Sequence, residues 1–184
     1  MSTFYTKSHQ EKNIWAHQSD ARWGGNSTYH FSFLNKPTFS LDSIVESIKP
    51  SSILDYGCGK GLALNQLKLK FPNIDMVNYD PFVSSHSVLP DKPCDLVICY
   101  NVLQIVELKF LDQIIEQIHS LSTKNILLSM NFNRYCEQTT TDWWRERLSR
   151  YNIVVDGKLE DHWIYPISGN PKIESGYNCW ISKS

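Results

Sequence analysis

The sequence predicts an α/β fold, a doubly wound and mostly parallel sheet flanked by helices, and three observations carry that prediction. Short apolar runs alternate with amphipathic helical patterns from Ser40 onward, an order that builds a parallel sheet covered on both faces. The run CDLVICYNVL, Cys94 to Leu103, is apolar almost throughout, as expected of a strand buried on both sides. The first run, around Ile53 and Leu54, leads into three glycines, Gly57, Gly59 and Gly61, at the strand-to-helix turn where such sheets bind ligands.

The residues before Ser40 are polar and rich in aromatics, with turn formers Gly24, Gly25, Asn26 and Ser27 between Trp23 and Tyr29. They read as an N-terminal flap outside the regular sheet, which divides the chain into a flap of residues 1–39 and a domain of residues 40–184. Leu41, Ile44, Val45 and Ile48 recur at helical spacing behind a cap at Ser40 or Asp42, and Pro50 ends that helix. After the strand of Ile53 and Leu54, the stretch LALNQLKLKF predicts a helix with Leu62, Leu64, Leu67 and Phe71 inward, and DMVNYD the next strand. A loop carrying Pro81, Pro90 and Pro93 precedes the buried strand at Cys94. Phe110, Leu111, Ile114, Ile115 and Ile118 then mark one side of an amphipathic helix. NILLSMNF reads as a buried strand, TDWWRERLSRY as a helix opened by Thr141 or Asp142, and NIVV and CWIS as the last two strands. Between those two, the tail from Asp156 reads as a long loop or hairpin.

At 184 residues the chain fits one domain. A formal charge of −1 leaves no surplus of cations for general nucleic-acid binding. The only basic cluster, Arg145, Arg147 and Arg150, would spread around a helix with Glu146 among them, a solvated face. The five cysteines, Cys58, Cys94, Cys99, Cys136 and Cys179, form no CxxC pair and read as reduced, mostly buried thiols of a cytoplasmic protein. No stretch approaches the ~20 apolar residues of a membrane span, so no membrane partner is expected.

Spacing separates the possible uses of the glycines. A P-loop needs a glycine where Leu54 stands and Ser or Thr where Gly61 stands, and a dinucleotide fingerprint needs its third glycine at Leu62. What stands here is Asp55-Tyr56-Gly57-Cys58-Gly59-Lys60-Gly61, an acidic residue followed by GxGxG.

That motif resembles the first motif of the class I S-adenosylmethionine-dependent methyltransferases. The resemblance continues in Asp80 at the end of the next strand, in Cys94-Asp95 at the start of the fourth, in Leu103-Gln104-Ile105-Val106, and in WWRERLSRYNIVV near the end. It implies a Rossmann-like sheet with an antiparallel last strand, S-adenosylmethionine as cofactor, and a site around Asp55, Tyr56, Gly57, Cys58, Gly59, Gly61, Asp80, Pro81 and Asn101. The glycines would let the backbone approach the methionine portion and offer N–H donors at a helix start, while Asp80 would accept from both ribose hydroxyls. The chain departs from the family between Asp80 and Cys94, which is too short for a helix plus a third strand and lacks an acid for the adenine amino group. Val88-Leu89-Pro90 would pass beside the adenine with backbone contacts.

The acceptor is read from the strand ends. Tyr100-Asn101-Val102-Leu103 replaces the Pro-Pro motif of amino-methylating DNA enzymes, and Pro93-Cys94 lies before the strand rather than after it, unlike a cytosine-carbon nucleophile. Asn101, Asn131 and Asn133 stand where metal-dependent relatives gather carboxylates, so no metal is expected. The expected activity is metal-independent transfer to a small-molecule acceptor by proximity and desolvation. His30 and His162 are the candidate general bases, and Trp23, Tyr29 and Trp163 the candidate aromatic wall for acceptor and cationic sulfonium. Transfer to nucleic acid or protein is the alternative among enzymes, and a non-catalytic protein binding the cofactor or its product is the alternative outside them.

Overall fold

The computed structural model describes residues 4–20, 24–31, 38–132, 140–164 and 172–183, with the backbone alone at 132, 154–164 and 172–176. Helix α1 (Lys7–Ser19) comes first, followed by a two-stranded antiparallel ribbon of β1 (His30–Phe31) and β2 (Phe39–Ser40). Then follow α2 (Leu41–Ile48), β3 (Ser52–Tyr56), α3 (Leu62–Lys70), β4 (Asp75–Tyr79), β5 (Cys94–Tyr100), α4 (Leu108–Ser120), β6 (Ser122–Phe132), α5 (Thr141–Leu148), β7 (Ile153–Ile164) and β8 (Lys172–Ser182).

The main sheet has six strands in the order β4-β3-β5-β6-β8-β7. The first four are mutually parallel, and β8 runs antiparallel to both β6 and β7, so the expected parallel sheet with its antiparallel last strand is present. The two-residue period of the strands divides the core in two. Leu54, Val97, Cys99 and Leu128 face the inward stripe of α4 together with Trp144 and Leu148 of α5. Ile53, Leu96, Ile98 and Leu127 face Ile44 and Val45 of α2 and Leu64 and Leu67 of α3. Tyr29 and Phe31 are buried in this second layer.

Strand order reverses between β3 and β5, so the loops leaving β3, β4 and β5 diverge to opposite faces and open a crevice at their carboxyl ends. The β4–β5 connection holds one 3-10 turn, Ser84–His86. Arg147 of α5 reaches Asp112 at 2.7 Å, and Arg150, just after α5, reaches Glu116 at 3.2 Å, so these two arginines clamp the end of α5 to α4. Among the described residues no helix is long and apolar enough to cross a membrane.

Several features differ from the expectation, Leu62 of α3 being exposed rather than inward. The N-terminal region contains a 13-residue helix, α1, with Thr6 Oγ1 capping the His9 N–H; it has no apolar stripe, and so no periodic signal. Of the loop and the hairpin expected between NIVV and CWIS the hairpin is present, and the two strands run far beyond those segments, because β7 and β8 pair from Ile153↔Ile181 to Ile164↔Lys172. That pairing rests on backbone hydrogen bonds, which a hydrophobic pattern does not reveal.

Candidate functional site

The glycine loop is drawn across to β4, where the Gly57 and Cys58 N–H groups both donate to the Tyr79 carbonyl at 2.7 and 3.1 Å. Both Gly57 and Gly59 have positive φ, and neither has room for a Cβ. At Gly57 it would overlap Val102, and at Gly59 the backbone of Gly24. The Lys60 N–H donates to the Gly24 carbonyl at 2.8 Å, so the N-terminal segment is laid directly on the loop. Gly61 caps α3 with no side-chain hydrogen bond, which leaves the first-turn N–H groups without a side-chain acceptor.

Asp80, at the end of β4, is buried and accepts from the Gly59 N–H (3.0 Å) and the Phe82 N–H (2.9 Å). Asp55, at the end of β3, is fully buried, and its Oδ2 accepts from the Tyr29 hydroxyl at 2.8 Å while its Oδ1 has no partner. Burial pushes its carboxyl up to about 7, the charge of Asp80 adding to the rise and the Tyr29 bond opposing it. Burial likewise pushes the Cys58 thiol and the Tyr29 hydroxyl far above their ordinary values. The Tyr29 ring stacks on Tyr100 with centroids 4.4 Å apart.

Asn101 follows β5 in the left-handed region at φ 59, a conformation that costs a non-glycine residue of order 1 kcal/mol or more and collects at functional sites. Its N–H donates to the Ser129 carbonyl at 2.8 Å, and its buried Oδ1 has no partner.

These elements surround a cavity of about 570 Å³, a size that takes one elongated small ligand. Tyr56, Gly57, Cys58, Gly59, Asp80, Pro81, Asn101 and Tyr29 all line it. Asp55 lies behind the wall and Gly61 at the head of α3. Of the Val88–Pro90 stretch, Leu89 lines the cavity while Val88 is exposed. His30 is exposed and absent from the lining, its backbone meeting the Tyr100 hydroxyl. His162 and Trp163 lie in β7, opposite Glu174 and Ile173, and their side chains are outside the described residues, as are Trp23, Asn133 and Cys136.

The wall that sequence reasoning missed is α1. His9, Asn13 and His17 line the cavity from one side of this helix, with Phe4 and Tyr5 just before it. Burial lowers the affinity of both imidazoles for a proton, against the opposing pull of Glu107 on His9 and of Asp80 on His17. The spacing of four between these polar residues, behind a Thr6 cap, was the available signal. Among the described residues no Lys or Arg lines the cavity, and no cluster of three metal-ligating side chains occurs. Carboxylates, neutral imidazoles and amides along this lining suit a ligand bearing hydroxyls and an amine.

Residues 35–157 match the model of a methyltransferase domain family. The magnesium protoporphyrin IX methyltransferase from Synechocystis PCC 6803 with bound SAM has a similar structure, at TM-score 0.60 and 12% identity, covering 100% of each chain. The plantazolicin methyltransferase in complex with a pentazolic desmethylPZN analog and SAH matches at TM-score 0.55 and 13% identity, over 97% of this chain and 98% of that one. A structure describing conversion of a disulfide bond into a thioacetal group during echinomycin biosynthesis matches at TM-score 0.54 and 12% identity, over 78% and 81%. No curated protein matches in sequence. At these identities the structural likenesses establish a shared fold.

Proposed function

The chain belongs to the methyltransferase domain family, and from that premise we propose that it transfers a methyl group from S-adenosylmethionine to a small-molecule acceptor without a metal. The observation that carries the reading is the Asp80 carboxylate beside the glycine loop, in a cavity at the switch point of the sheet. On this reading the loop from Gly57 to Gly61 and the first turn of α3 take the methionine portion, and Asp80 and Pro81 take the ribose. The unpartnered Oδ1 of Asn101 accepts from the donor's amine or from the acceptor. Bound there, the donor supplies an electrophilic methyl group on a sulfonium.

The chain's own contribution is to hold, orient and dry the reactants, which lowers the barrier without covalent chemistry. Tyr29 and Tyr100 present ring surface at the site, which favours a cation. The Tyr29 hydroxyl is committed to Asp55 and is unsuited to proton abstraction. A general base is needed only for a hydroxyl or a protonated amine; the neutral imidazoles of His9 and His17 line the cavity, whereas the exposed His30 does not.

A small-molecule acceptor suits the ion pairs of Arg147 and Arg150 with acids of α4, which leave little basic surface for nucleic acid. The free, buried thiols of Cys58, Cys94, Cys99 and Cys179 suit a cytoplasmic setting.

Calorimetric titration with S-adenosylmethionine and S-adenosylhomocysteine tests the proposal. Saturable micromolar binding is expected, weakened ~10- to 100-fold by Asp80→Ala, the scale of lost charge-assisted hydrogen bonds. Absence of saturable binding to the native chain refutes it.

A further inference from the structure

We infer that the cavity-facing side of α1, formed by His9, Asn13 and His17, binds the nucleoside half of the methyl donor, which makes this helix part of the donor site. The inference rests on the reading of the cavity as the donor site.

The first reason is that α1 turns its polar side inward. Trp15 is 68% exposed while Asn13 is 5% exposed and the His17 side chain 10%. A helix that only covered a core would bury its tryptophan and present its amides and imidazoles to water. The three inward residues stand four apart, so they form a polar line about 12 Å long at ~1.5 Å rise per residue.

The second reason is that α1 is tied across the cavity at both ends. At its start the Thr6 N–H and hydroxyl donate to the Glu107 carboxylate at 2.7 and 3.1 Å, and the rings of Tyr5 and His9 meet Phe82 at 5.0 and 5.8 Å. At its end Lys60 Nζ donates to the Asp20 carbonyl at 3.1 Å. Phe82 belongs to the connection between β4 and β5, which has a single 3-10 turn and little bulk of its own. The N-terminal segment supplies the missing wall.

The third reason is unfilled bonding capacity at His17. Its Nε2 lies 3.8 Å from Asp80 Oδ2, beyond hydrogen-bond distance, while its Nδ1 edge packs against Gly24. The Nε2 of a neutral imidazole offers one donor or one acceptor, which a ribose hydroxyl can satisfy. His17 thus borders the same part of the cavity as Asp80, with Asn13 and His9 following along the helix.

The test is calorimetric titration of the full chain with S-adenosylhomocysteine and, separately, methylthioadenosine, which has the nucleoside and lacks the amino-acid end. His17→Leu and Asn13→Leu, both compatible with a helix, are expected to weaken both ligands ~10-fold each, the scale of one buried hydrogen bond. Trp15→Leu, on the outer face, is expected to leave both affinities within ~2-fold, and His17→Gln, which keeps a polar end, to recover part of the loss. If both leucine variants keep the native melting transition and bind both ligands as the native chain does, the inference is overturned and the donor reading stands. Loss confined to S-adenosylhomocysteine overturns it too, because the face then reads the amino-acid half. If the native chain binds neither ligand, the inference and the donor reading fall together.

Discussion

Two buried carboxylates on neighbouring strands of one sheet have opposite surroundings. Asp95, at the amino end of β5, accepts from the Ser51 N–H (2.9 Å), the Ser51 hydroxyl (2.6 Å) and the Lys124 ammonium (3.0 Å) on one oxygen, and from the Thr123 hydroxyl (3.0 Å) on the other. Those bonds, Ser51's first, hold its carboxyl well below the usual range. Asp55, at the carboxyl end of β3, has one bond from Tyr29 and a bare second oxygen, and burial pushes it up to about 7. The saturated carboxylate ties strands together at the closed edge of the sheet. The starved one stands at the edge where the cavity opens, and its unmet bonding capacity marks that edge as the working one.

Breaking the saturated site is expected to have the largest effect. Asp95→Ala strands four donors and is expected to lower stability at about pH 7 by roughly 3–4 kcal/mol, measured by urea unfolding, with affinity for S-adenosylhomocysteine unchanged. Because the folded value is depressed, the native chain itself loses this contribution as pH falls below the ordinary carboxylate value of 3.8. The penalty therefore shrinks in acid.

The starved site should respond with the opposite sign. The folded fold favours the neutral form of Asp55, so its contribution is complete below 3.8 and lost as pH rises through about 7. Asp55→Asn mimics the neutral form and is expected to raise stability above neutral pH and to leave it unchanged in acid. A melting series across pH reads this directly; a gain that does not depend on pH contradicts the raised value. The smallest effect is expected from Tyr29→Phe, which removes the one bond on Asp55 and lowers stability by ~1 kcal/mol above neutral pH. In that variant the Asp55 titration moves further upward, visible in the carboxyl signals of a nuclear magnetic resonance titration.

Much of this contrast is legible in the sequence. The apolar runs through Leu54, Val97 and Leu128 announce buried strands because burial on both faces leaves no room for polar residues, and the stripe Leu111, Ile114, Ile115, Ile118 announces α4. The glycine loop and Asp80 are legible because a loop in that backbone conformation restricts which residues fit. Helix α1 is not, because its inward residues are polar and its tryptophan faces water, which inverts the usual pattern. The reach of β7 and β8 is hidden for a different reason, since strand pairing uses the backbone that every residue shares. The histidines illustrate both limits: His30 stands among aromatics in the sequence yet is exposed in the fold, while His9 and His17 carry only their four-residue polar spacing as a signal and line the cavity.

Gly24 and Gly59 touch backbone to backbone, each occupying the space where the other's Cβ would be. Two positions far apart in the chain therefore act as one unit of inheritance. A side chain at either is blocked by the main chain of the other, and no substitution at the second position makes room for it, since glycine is already the smallest residue. Drift can relax this constraint only by moving or deleting the N-terminal segment as a whole. Among descendants of this chain, the two glycines should be kept together or lost together.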